Sequence, residues 1–120
     1  MIKSFLTAFA LLICAFGPAT AENFYRVTDK AEFVHLFAGK TLSFEAGAQV
    51  IRANGKVKGT LKRGGGFHGV WALQAGMYCR NLVFGGKETG TDCLTVEVDG
   101  ANVRMVRNQG RGEATFGHIN

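Results

Sequence analysis

The chain is poor in the residues on which most enzyme mechanisms draw. After residue 21 it holds one serine, Ser43. Neither a Ser–His–acid order nor a nucleophile elbow can be read around it. The three histidines, His35, His68 and His118, lie far apart and show no metal-ligand spacing. No paired carboxylates carry a strand spacing suited to glycoside chemistry. Catalysis is therefore unsupported, and neither a metal nor a cofactor is expected. Long apolar runs are missing as well. Only the N-terminal "FLTAFALLICAF" is strongly apolar, and about a dozen residues make a short membrane span.

Residues 1–21 read instead as a secretory signal. Lys3 supplies the positive start, and Ala19-Thr20-Ala21 fits the small-x-small rule for cleavage before Glu22. A lipoprotein reading centred on Cys14 meets a large residue, Ile13, where a small one is required. The expected organisation is a signal over 1–21 and one domain over 22–120. That domain is expected in the periplasm or secreted, without a membrane span after cleavage.

The whole chain has 14 basic and 9 acidic residues, a net charge of +5, and loss of Lys3 leaves it near +4. The tightest basic group is Lys56, Lys58, Lys62 and Arg63, with no aromatic residues between them. Nucleic-acid modules show denser stripes, so nucleic acid is not an expected partner. A solvated basic face, weakly attractive to anionic envelope polymers, is the reading. Only Cys79 and Cys93 lie beyond the signal. Two cysteines in an exported domain most often form one disulfide.

One helix is signalled. Asp29 caps it, Glu32 completes a capping box, Phe33, Leu36 and Phe37 form its apolar stripe, and Gly39 stops it. Thereafter the apolar period is two. Strands are expected near 41–44, 49–53, 56–62, 67–73, 77–84, 92–98, 101–107 and 113–119, joined by glycine-rich turns. Asn54-Gly55 and Asp99-Gly100 are the strongest two-residue hairpin signals. The fold class is mainly β. It is an antiparallel eight-stranded up-and-down meander, closed into a small barrel or folded as a sandwich. The helix and the extended "NFYRV" before it cover an end or an edge.

"GGGFHG", Gly64 to Gly69, matches the dinucleotide pattern G-x-G-x-x-G. That pattern needs a helix after the glycines, with its N-terminus facing the phosphates. The following "FHGVWAL" alternates as a strand does, and Gly76 comes too soon for a crossover helix. Nucleotide binding is not expected.

Three hairpins suggest a site. A regular hairpin centred on Gly86 sets Cys79 opposite Cys93, Arg80 opposite Asp92 and Tyr78 opposite Leu94. A turn at Asp99-Gly100 sets Asp92 opposite Arg107 and Leu94 opposite Met105. A turn at Ala75-Gly76 sets Trp71 opposite Arg80 and Leu73 opposite Tyr78. Side chains alternate across a sheet, so Leu73, Tyr78, Leu94, Val96, Val103 and Met105 form an inward apolar face. The row Trp71, Arg80, Asp92, Arg107 runs along that face, with the disulfide on the other. Buried charges are costly unless paired. The row is either a structural network, with Arg80 stacked on Trp71, or the floor of a pocket for a small anionic or planar ligand. Trp71, Tyr78, Arg80, Asp92 and Arg107 are the candidate ligand-binding residues.

With "GVW" at 69–71, "YCR" at 78–80 and "TDC" at 91–93, the chain resembles small exported proteobacterial proteins of unknown function. These share a G-x-W, Y-C-R, D-C, hairpin, R order. Some are labelled dihydrodipicolinate reductase. That reductase is a two-domain nucleotide-binding enzyme, whereas this chain has neither the βαβ unit nor the length. The chain is also similar to lipocalins, which use G-x-W and T-D-x in an eight-stranded barrel, here at a shorter spacing. That likeness implies a calycin-like shape. "GVWALQAGMYCR" resembles small periplasmic metalloprotease inhibitors, for which Glu22 to Val27 would be the inhibitory segment. The expected function is a binding module for a small anionic or planar ligand. The alternative is a protease-inhibitor-like or envelope protein-interaction role.

Overall fold

The structure, a computed structural model, describes residues 23–120. The expected signal at 1–21, and Glu22 after it, lie outside the described residues.

Eight antiparallel strands follow one another around a closed barrel. They are β2 (Thr41–Phe44), β3 (Gly47–Ile51), β4 (Lys56–Leu61), β5 (Gly66–Gln74), β6 (Met77–Phe84), β7 (Lys87–Asp99), β8 (Asn102–Val106) and β9 (Ala114–Ile119). Each pairs with the next, and β9 returns to β2. Closure leaves no open edge in the ring, and it decides for a barrel over a sandwich. A further strand, β1 (Tyr25–Arg26), precedes the ring and pairs with β7 at Val98 and Glu97. It occupies the edge that β7 offers beyond Tyr78↔Leu94, the last β6–β7 pair.

Helix α1 (Lys30–Phe37) starts where the sequence indicates. The Glu32 backbone N–H donates to Asp29 Oδ2 at 3.0 Å. Eight residues are too few to hold a helix alone in water, so packing must hold this one. Phe33 and Phe37 are buried in one end of the barrel, with Leu42, Ile51, Val57, Val96 and Val103 in the same core. The Phe33 ring lies 5.3 Å from Tyr78 and 5.0 Å from Trp71. Burying each phenyl side chain contributes about 1.5–3 kcal/mol. The helix is thus a plug.

At the opposite end, glycine lets aromatic rings lie flat against the wall. A Cβ on Gly59 would meet the Phe67 ring at 2.2 Å, and one on Gly117 the Phe44 ring at 2.7 Å. No other residue fits beneath either ring without moving it.

The registers decide what faces inward. Ala75 and Gly76, with φ of 51° and 70°, turn β5 into β6 and pair Trp71 with Arg80 and Leu73 with Tyr78, as expected. The β6–β7 hairpin reaches its expected pairs by a different route. It turns on two residues, Gly85-Gly86, and pairs Phe84 with Lys87. Continued regularly, that turn would set Cys79 opposite Asp92. An extra residue at Thr89-Gly90, where Gly90 has φ 80°, shifts β7 by one. Cys79↔Cys93, Arg80↔Asp92 and Tyr78↔Leu94 result. The two cysteines are bonded, on the face opposite Arg80.

The β7–β8 hairpin corrects an expectation. It turns on Gly100-Ala101, pairing Asp99 with Asn102 and Val96 with Met105. Gly100, φ 57°, is the first central residue, where a tight hairpin demands glycine. Asp92 and Arg107 are therefore not ladder partners, nor are Leu94 and Met105. A slip of two residues keeps every side chain on its face, so the inward apolar set survives. Asn54-Gly55 likewise belongs to a longer turn, in which the Arg52 N–H donates to Lys56 O.

Candidate functional site

Alternation along β6 sends Tyr78, Arg80, Leu82 and Phe84 into the barrel. Away from the plug Arg80, Leu82 and Phe84 meet a cavity of about 170 Å³. Phe44, Leu61, Phe67, Leu82, Phe84, Leu94 and Met105 make its apolar wall, and Gln49, Arg80 and Thr115 its polar groups. Leu94, Met105 and Gln49 are buried, whereas Phe44, Leu61, Phe67 and Phe84 are half-buried. The cavity therefore opens at the end away from α1. Phe67 and Phe84 stack with ring centres 4.9 Å apart.

Arg80 is the one charged side chain lining this cavity. The ion pairs among the described residues are Glu97–Arg104 and Asp92–Arg107, so no carboxylate among them lies within ion-pair distance of Arg80. Burial pushes the Arg80 pKa down. The fields of Tyr78 and Asp92 push it back up, and Arg107 adds to the lowering. A guanidinium stays charged in proteins regardless. The fold thus holds a partly desolvated cation without a counter-ion, a costly arrangement. Directly deeper on β6, Tyr78 is fully buried and its hydroxyl has no hydrogen-bond partner among the described residues. Burial raises the phenol's pKa, and the positive charge of Arg80 opposes that rise. An unmet hydroxyl costs about 1–3 kcal/mol.

Asp92 serves a neighbouring segment. Its Oδ2 accepts from Arg107 Nε at 3.1 Å, and its Oδ1 from the Asn108 backbone N–H at 3.0 Å. These bonds hold α2 (Arg107–Gly110), a single turn in which Asn108 and Gln109 take φ of 50° and 59°. The Arg107 side chain is 54 % exposed and that of Asp92 22 %. Such an open pair contributes about 0–1 kcal/mol. Arg80, Asp92 and Arg107, with Leu82, Phe84 and the Thr89–Thr91 bulge, line a second recess of about 240 Å³. Arg80 thus stands between the barrel interior and this recess.

Of the five residues singled out from the sequence, Arg80, Asp92 and Arg107 border one recess, and Tyr78 lies beneath Arg80. Trp71 belongs elsewhere. It is Arg80's register partner, but its ring packs on Phe33 and Tyr78, and its Nε1 donates to Arg52 O at 2.8 Å. The indole follows the apolar surface of the plug rather than the guanidinium, which corrects the expected stacking. Arg80 and Asp92 are register partners too, yet form no ion pair; the Asp92 carboxylate is turned to Arg107 and Asn108 instead. The sequence reading left Phe44, Gln49, Leu61 and Thr115 out of the barrel's interior wall. Period two along β5 and β6 already set Phe67 and Phe84 on Arg80's side. Phe44 and Gln49 needed the β2–β3 register.

Gly64 and Gly65, with φ of 101° and 91°, form a turn, and Gly66 opens β5. "GGGFHG" therefore leads into a strand, without a helix N-terminus for a pyrophosphate. Among the described residues no three His, Cys, Asp or Glu side chains gather as a metal site. Of the segment compared with an inhibitory arm, residues 23–27 are attached to the barrel. The Asn23 N–H donates to Asp99 Oδ2 at 3.2 Å, and the N–H of buried Val27 donates to Val96 O at 2.8 Å. No protein family, no curated protein and no solved structure matches this chain, so its chemistry rests on the geometry around Arg80.

Proposed function

We propose that this protein is an exported binding barrel that holds a small anionic ligand at its open end, with Arg80 as counter-ion. One observation carries the reading: an unpaired guanidinium lines a mostly apolar cavity, with Gln49 and Thr115 its other polar groups. A bound anion gives Arg80 its missing charge partner, and the apolar wall takes the ligand's body. Tyr78 lies behind the guanidinium and the Asp92–Arg107 pair beside it, while Trp71 fixes the plug beneath. Export is supported by the N-terminal signal pattern and by the Cys79–Cys93 bond, since disulfides persist in oxidising compartments.

A second reading has its own observation. On the outer wall of β4–β6, Arg52, Lys56, Lys58 and His68, with one carboxylate, Glu88, border a shallow recess of about 490 Å³ in which cations predominate. Cations so placed favour an acidic partner in the envelope. The inhibitor variant of that reading has less support, because residues 23–27 are docked along β7.

Native mass spectrometry of protein purified from the periplasm separates the two. A retained small anion that Arg80→Met abolishes supports the ligand-binding barrel. A retained macromolecule that Lys58→Glu abolishes, with Arg80→Met without effect, supports the second reading. Protein that carries no small anion, and takes none up at millimolar concentration, contradicts the first.

A further inference from the structure

We infer that the ligand at Arg80 is an aromatic monocarboxylate with a body of about one ring. This rests on the ligand-binding reading above and narrows it to a chemical class.

Size sets the first limit. The cavity measures about 170 Å³. An apolar protein cavity of about 150 Å³ takes up benzene. A single ring fills it, and a fused polycycle would leave apolar surface in solvent at the open mouth. A long acyl chain would need to run on down the barrel axis, and there the buried Phe33 and Phe37 of α1 already fill the space.

Shape sets the second. The entrance wall is aromatic on three strands. Phe44 lies flat over Gly117, Phe67 over Gly59, and Phe84 stacks on Phe67. Rings prefer offset-stacked or edge-to-face contact with other rings, and such walls favour a flat guest over a flexible chain of equal volume.

Charge sets the third. The guanidinium fork matches a planar carboxylate with two parallel hydrogen bonds. Arg80 offers it unpaired. Arg107, the other cation bordering the adjoining recess, is already bound to Asp92. A second acid group on the ligand would meet Asp92 and be repelled. One carboxylate is therefore matched and two are not.

Calorimetric titration of the oxidised protein with benzoate, phenylacetate, hexanoate, phthalate and benzyl alcohol tests this. Benzoate or phenylacetate should bind at least about tenfold more tightly than hexanoate, phthalate or benzyl alcohol. Arg80→Lys, which keeps the charge without the fork, should weaken binding of the aromatic acid by about tenfold, and Arg80→Met further still. Should Arg80→Met not fold, the wild type alone decides. In its methyl NMR spectrum the aromatic acid should shift the Leu61, Leu82, Leu94 and Met105 signals by ring current, more than that of Val103, which does not line the cavity. Tighter binding of hexanoate or phthalate, with the same methyls responding, overturns the aromatic monocarboxylate and leaves the Arg80 anion site intact. Failure of every acid to shift those methyls overturns both.

Discussion

The same eight strands build two unlike ends. At one, Phe33 and Phe37 fill the barrel, every large side chain packs on another, and Trp71 donates its one hydrogen bond to Arg52 O. At the other, aromatic rings line a cavity of about 170 Å³, and a cation has no ion-pair partner among the described residues. Both ends draw on the same alternation of inward side chains. They differ because α1 supplies side chains to fill one end and no segment among the described residues fills the other. The plugged end holds the fold together; the open end carries cost, and cost kept in a stable scaffold points to use.

If that division holds, truncation should hurt very unequally. Phe33→Ala removes a ring that touches Phe37, Trp71 and Tyr78. Urea melts should show a loss of about 3–5 kcal/mol. A loss near 1 kcal/mol would mean that the helix is a cover rather than a plug.

The next effect is covalent. Cys79 and Cys93 are 14 residues apart and tie β6 to β7 beside Arg80 and Asp92. Replacing both with alanine should cost about 3 kcal/mol in the chain-entropy view of such a loop. The same melts read it, and a thiol count of zero in the unreduced wild type confirms the bond.

Asp92→Asn removes the charge that pairs with half-exposed Arg107, and should cost about 1 kcal/mol. Glu88→Gln, at an exposed acid near the β6–β7 turn, should cost less than about 0.5 kcal/mol. Asp92→Asn losses above about 3 kcal/mol would show a buried network. Leu61→Ala, at the half-buried lip, should cost only about 1 kcal/mol, since it enlarges a space already open to solvent. A cost equal to that of Phe33→Ala would erase the distinction between the ends.

What the sequence disclosed follows the same divide. Strand period and the Asp29 cap placed the helix and all eight barrel strands, because local preference and burial agree there. β7 was read as starting at 92, yet it begins at Lys87. Lys87–Thr91 is polar, exposed and bulged, and therefore carries no apolar period. Hairpin dipeptides proved less informative than the position of glycine within the turn. Gly100 moved to the first central place and Gly55 to the end of a longer turn, each shifting its register. The Arg80–Asp92 pairing came out right only because the Gly90 bulge cancels the even turn at Gly85-Gly86. Side-chain direction was the least legible link. Both Trp71 and Asp92 sit beside Arg80 in the ladder, and each turns away to a partner from outside it. The indole goes to Phe33 and the carboxylate to Asn108, and no pairwise register reveals either.

The sharpest measurement is the stability of Arg80→Met without ligand. A desolvated guanidinium with no counter-ion should be destabilising, and an apolar side chain of similar length should relieve it. The urea midpoint should rise, equivalent to a gain of about 1 kcal/mol, while binding of small anions is lost. A variant destabilised by more than about 1 kcal/mol would show that Arg80 has structural partners at the open end, and that the unpaired cation on which the site rests does not exist.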